Sequence, residues 1–102
     1  MKKYRNFTPH AIVLNDGRKF QSEGVARVSN AFSEFDADGV CRVEYGDVDG
    51  LPEPSDDTLL IVSAMVLAAS DRKDLVAPAT GHPRCVRDER GFIVSVPGFV
   101  RK

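Results

Sequence analysis

Two histidines, two cysteines and a serine lodged between an apolar run and a helix-forming run are the residues of this 102-residue chain whose types suit chemistry. His10 falls in NFTPHAIVL (Asn6–Leu14), where Pro9 fixes the backbone just ahead of an apolar segment. A histidine there either packs and hydrogen-bonds locally or meets a ligand as a donor or titrating group, with Thr8 beside it. Ser63 follows the apolar stretch Thr58–Val62 and precedes Ala64–Ser70, so it is placed to cap a helix that starts directly after a buried strand. Backbone N–H groups freed at such a junction stabilise anions, and the carboxyl edge of an open α/β sheet is where ligands sit. Ser63 and Ala64 are therefore candidate donors, and Arg72, Arg84 and Arg87 are candidate bidentate partners for a phosphate or carboxylate. The plainer reading makes Ser63 an ordinary cap and the arginines surface charge.

Other constellations carry less. His10, His82, Cys41 and Cys85 would make a two-histidine, two-cysteine zinc set, but only His82 and Cys85 are close in sequence, whereas structural zinc sites show two close pairs. Neither a metal nor a cofactor is expected. Cys85 as a nucleophile would need its thiol activated, which Arg84 and Arg87 could assist. Asp36–Gly39 (DADG) lacks the carboxylate spacing of a calcium loop and reads as a turn. The chain has no Walker, dinucleotide-binding, nucleophile-elbow or HExxH pattern, so those chemistries lose their usual warrant.

The elements that position these residues follow from turns and periodicity. Asn15–Gly17 (NDG) predicts a hairpin between His10–Leu14 and Arg18–Phe20, and Val25–Val28 predicts a third strand. Ala31–Phe35 and Val40–Tyr45 flank DADG, and alternation of Cys41, Val43 and Tyr45 with Val40, Arg42 and Glu44 predicts a strand with one buried face. Gly46–Asp57 is rich in Gly, Pro and Asp and reads as a surface loop. Thr58–Val62, the short helix and Leu75–Ala79 suggest strand, crossover and a marginal parallel partner. Arg84–Val96 predicts a terminal hairpin turning at DERG. The expected class is α+β or α/β, a small mixed β-sheet with hairpins and one or two short helices.

The length fits one domain over residues 1–102, and the 42% hydrophobic and 28% charged shares match an ordinary folded, soluble protein. No secretory signal follows the basic start, and the apolar run Leu59–Ala69 is about half of the ~20 residues a bilayer needs. A cytoplasmic location with reduced cysteines and no membrane partner is expected. A net charge of −1 argues against nonspecific nucleic-acid binding, yet charge is segregated: nine acids against Arg42 alone over Glu34–Asp57, and seven basic residues against three acids from Arg72 onward.

NFTPHAIVL, EGVARVS, LLIVSAMVLAA with DRKDLVAPAT, and VRDERGFIVSVPGF resemble a group of small, poorly characterised phage and prophage proteins that open with Asn-Leu-Thr-Pro-His, Phe7 standing here for the leucine. The resemblance spans most of the chain outside the acidic loop. It implies a product of the bacterial host cytoplasm that binds rather than catalyses, either blocking a host protein or sequestering a nucleotide signal used in defence. The leading expectation is thus an anionic small molecule, nucleotide-like, held without turnover by Thr8, His10, Ser63, Ala64, Arg72, Arg84 and Arg87. The alternatives are an interaction module that docks its acidic middle on a host protein or on the basic ends of its own copies as a homo-oligomer, and a small hydrolase using His10 with Cys85 or Asp88.

Overall fold

The computed structural model describes residues 2–102. Its elements are β1 (Lys3–Asn6), β2 (Ile12–Val13), β3 (Lys19–Phe20), β4 (Arg27–Phe32), β5 (Val43–Asp49), β6 (Thr58–Ile61), α1 (Ala64–Ala69), β7 (Leu75–Pro78), β8 (Val86–Arg87), β9 (Ile93–Ser95) and β10 (Phe99–Val100). The main sheet has the order β1-β6-β7-β10; β6 runs parallel to both its neighbours, and β10 closes the sheet antiparallel to β7. Three two-stranded hairpins, β2–β3, β4–β5 and β8–β9, surround it. The protein is thus a small mixed-sheet fold with hairpins and one short helix, mostly β, so that the α+β or α/β label fits only loosely.

The continuous apolar run of β6 has the physical cause expected of it, since both faces of this strand are covered. Leu60 and Val62 pack with Phe7, Val66, Leu67 and Leu75 beneath α1. Leu59 and Ile61 face the other way with Val76, and Tyr4, Ile12, Phe20 and Phe99 close over them. Tyr4 stacks on Phe99 at 4.9 Å, with Phe20 5.5 Å from Tyr4, a geometry that adds to plain area burial. Ile61 and Val62 are wholly buried, each contributing about 1.5–3 kcal/mol of transfer free energy. Ser63 ends the strand and caps α1, its Oγ accepting the Val66 N–H at 3.3 Å.

Several boundaries differ from the sequence expectation. Lys3–Asn6 is a strand although only Tyr4 in it is apolar; it is held by parallel pairing with β6 over Lys3↔Thr58 to Asn6↔Ile61. The strand expected at Val25–Val28 lies later and runs longer, as β4 over Arg27–Phe32, and β5 runs on through Gly46 to Asp49, where a loop was expected. The register slips between Val28 and Asn30, a bulge that lets the pair bend away from the body. No helix among the described residues is long and apolar enough to cross a membrane.

Candidate functional site

NFTPH is organised by a residue that the motif reading passed over. Asn6 is fully buried, and its Nδ2 donates to the carbonyls of His10 (2.8 Å) and Phe20 (2.9 Å). Its Oδ1 accepts the Thr8 amide at 2.9 Å and faces the Thr8 hydroxyl at 2.7 Å. Thr8 is itself buried, with its hydroxyl also 2.9 Å from the His10 carbonyl. Thr8 therefore points into the fold, and the pair shapes a turn that turns the His10 ring outward into solvent.

There His10 lines a cleft of about 260 Å³ between β2 and β9, with Ile12, Val13, Pro78, Thr80, Ile93 and Val94 among its walls. Its two sides are tied together by Val96 N–H to Val13 O (2.9 Å) and by Asn15, whose Oδ1 accepts the Ser95 hydroxyl at 2.6 Å. The walls are largely aliphatic, so the cleft suits an apolar side chain with a polar group at its edge.

The remaining predicted residues fall in different places. Ser63 and Ala64 are exposed at the carboxyl end of β6, the Ser63 oxygen committed to its cap. Arg72 precedes β7, which runs parallel to β6, so it lies at the opposite end of the sheet from Ser63. It is bound there, forking onto Asp74 at 2.9 and 2.7 Å and reaching the Pro52 carbonyl at 3.0 Å. Arg87 donates to Gly91 O (3.0 Å) and Thr80 O (3.1 Å), stapling its own hairpin to the rim of the His10 cleft. Arg84 is exposed; its amide donates to His82 Nδ1 at 3.1 Å and its carbonyl accepts Asn15 Nδ2 at 2.8 Å. Of the predicted residues only His10 lines this cleft, with Arg87 reaching the carbonyl of its Thr80; Ser63, Ala64 and Arg72 are not among its walls. Nor do His10, His82, Cys41 and Cys85 form a metal-ligating cluster among the described residues.

A second concavity, about 600 Å³, lies where Arg72 is, lined also by Lys73, Arg101 and Lys102 with Asp71. Lys102 is paired with Asp71 and Arg72 with Asp74, while Lys73 and Arg101 make no ion pair among the described residues.

The largest departure from a closed surface is the β4–β5 arm. At its base Val28 faces Val48, and both pack on the core under α1. Beyond the bulge the same face continues through Tyr45 opposite Asn30 and Val43 opposite Phe32. These three apolar side chains are 52%, 41% and 67% exposed, and Phe35 and Val40 near the tip are 72% and 59% exposed. The alternation that predicted a buried face is real, but none of the described residues buries it. The molecule is 51 Å long, with a radius of gyration of 15.8 Å, where a compact chain of this size has about 13 Å.

No protein-family model, curated protein or solved structure matches the chain, so the arm, the cleft and the basic groove are read on their own geometry.

Proposed function

We propose that the protein is an interaction module that works through the β4–β5 arm. The observation that carries this reading is the single apolar face that starts in the core at Val28 and Val48 and runs on, uncovered, through Tyr45, Val43 and Phe32. Contiguous exposed apolar surface on a small folded chain marks an interaction site. Aromatic residues are the usual anchors of such sites, and the six acids against two basic residues over Arg27–Asp49 would steer the arm toward a basic partner. The resemblance to phage proteins supplies the setting, a bacterial cytoplasm in which the arm blocks a host protein or joins copies of itself. The test compares wild type with Phe32→Lys and Tyr45→Lys by sedimentation velocity and by quantitative capture from bacterial lysate. The reading expects both variants to fold and to lose association; identical behaviour of all three proteins in both assays would end it.

A second reading, anion binding, is favoured by the groove where Lys73 and Arg101, without an ion pair among the described residues, lie beside Arg72 and Lys102. Unpaired cations at a concavity are what a phosphate-bearing ligand needs. Calorimetric titration with linear and cyclic nucleotides tests it, the expected result being binding that Lys73→Ala and Arg101→Ala each weaken several-fold. Absence of heat and of thermal stabilisation across the panel removes it.

A further inference from the structure

We infer that the arm's partner is a second copy of this chain, and that its socket is the cleft lined by His10, Ile12, Ile93 and Val94. The inference rests on the arm being the interaction element and adds what it grips.

Three observations on separate parts of the chain support it. The first is complementarity of apolar shape: the arm ends in exposed Phe35 and Phe32, while the cleft is an aliphatic-walled concavity of about 260 Å³ whose rim residues Ile93 and Val94 are 45% and 53% exposed. A dry apolar cavity of about 150 Å³ already holds a benzene ring, so a phenyl side chain fits here with room for the edge of the arm. The second is charge: the arm carries six acids against two basic residues, and the hairpin segment Arg84–Ser95, which contains β9 and the cleft's far wall, carries Arg84, Arg87 and Arg90 against Asp88 and Glu89. Arg84 and Arg90 flank that wall with guanidinium groups that have no ion-pair partner among the described residues, placed to meet Glu34, Asp36 and Asp38 of an incoming tip. The third is that one chain supplies both halves. The arm packs on α1 at its base, while the cleft lies between β2 and β9, so neither covers the other. Reciprocal insertion, arm of each copy into the cleft of the other, closes as a two-fold dimer, the commonest symmetric assembly.

The two native cysteines offer a direct test. Cys41 lies beside the arm tip and Cys85 next to Arg84 on the cleft side, and both are free and partly exposed. Cys85→Ser, which keeps the arm thiol, is mixed with Cys41→Ser, which keeps the cleft thiol, and treated with a short bismaleimide. The expected result is a cross-linked pair that forms in the mixture far more than in either variant alone, together with a concentration-dependent dimer in sedimentation equilibrium. Phe35→Asp on the arm and Val94→Glu on the cleft, both at exposed positions, are each expected to raise the dimer dissociation constant at least tenfold with the fold intact by circular dichroism. A chain that stays monomeric at millimolar concentration, or one whose cross-links join Cys41 only to Cys41, overturns the inference. A monomer whose Phe32→Lys variant still loses a captured protein overturns it too, while leaving the arm as an interaction element.

Discussion

The Oδ1 atom of Asn6 lies 2.9 Å from the amide nitrogen of Thr8 and 2.7 Å from its hydroxyl, so one buried carboxamide holds the turn that presents His10. Because Asn6 Nδ2 also serves the carbonyls of His10 and Phe20, Asn6→Ala would leave several buried polar groups without partners. A cost on the order of 3 kcal/mol is expected, read as a lowered urea midpoint. Thr8→Val, which keeps the volume but drops the hydroxyl, is expected to cost about 1 kcal/mol. Equal stability of wild type and Asn6→Ala would show that the side-chain network does not hold this turn.

Ile61 and Phe32 make the opposite contrast. Ile61 is 0% exposed and Phe32 is 67% exposed, so Ile61→Ala is expected to cost about 2–5 kcal/mol. Phe32→Ser in dilute solution, by comparison, should stay within about 0.5 kcal/mol. Chemical denaturation of both variants at micromolar concentration decides it. A Phe32 variant as damaged as the Ile61 variant would mean the arm face is covered within the single chain.

Gly50, at the foot of the arm, has φ +91° and a position where an added Cβ would lie 2.8 Å from the Val25 carbonyl oxygen. Gly50→Ala meets both a disfavoured backbone region and a backbone atom that cannot swing away. A loss of about 1–3 kcal/mol is expected. Gly39 at the arm tip also has positive φ but nothing within 4 Å of an added Cβ, so Gly39→Ala is the milder control in the same thermal melt.

The fork of Arg72 on Asp74 is partly shielded, with side-chain exposures of 28% and 13%, and the same guanidinium reaches the Pro52 carbonyl. A double-mutant cycle with Arg72→Ala and Asp74→Ala is expected to give a coupling of about 1 kcal/mol, above the usual surface pair. Proteolysis of the Pro52–Asp57 loop should quicken in Arg72→Ala, since that loop loses an anchor. A coupling indistinguishable from zero would make the fork incidental.

Acid should find Asp57. The Ser55 hydroxyl at 2.7 Å, then the Thr58 hydroxyl at 3.0 Å and the Lys3 charge, hold its carboxyl below the ordinary 3.8. A carboxylate whose folded value is depressed adds stability above the unfolded value, and that increment is lost as pH falls through the folded one. Urea midpoints taken between about pH 5 and pH 2 should therefore fall less steeply for Asp57→Asn than for wild type. Superimposable profiles would contradict the assignment.

What the amino-acid order made legible was whatever depends on local pattern. The apolar run of β6, the Ser63 cap, the short helix and the NDG turn all carry their causes within a few residues, and the structure places them within a residue or two of the expected bounds. The parallel pairing of β6 with β7, expected only as marginal, is present. β1 was illegible because Lys3, Arg5 and Asn6 have no strand-like pattern of their own; pairing with β6 makes it a strand. Asn6 was missed as a hub because its partners, Phe20 and His10, are assembled by the fold rather than by spacing. For the candidate site, residue type pointed to arginines and Ser63, but strand direction puts Arg72 and Ser63 at opposite ends of the sheet, and direction is a property of pairing. The period-two pattern over Val40–Tyr45 predicts a strand with one buried face; the strand is present from Val43, but Val43 and Tyr45 are exposed, because burial depends on what packs against a face and not on its alternation.

The order of the main sheet bears on how the protein is made. Phe99 and Val100 form its last strand, beside a β7 that pairs with β6, which in turn pairs with Lys3–Asn6. A chain emerging from the ribosome can close the β4–β5 hairpin early, since its contacts are local, whereas β1 must wait for the distant β6 before it has a partner. The hairpin and its apolar face therefore precede, in order of synthesis, the Ile93–Val96 wall of the His10 cleft.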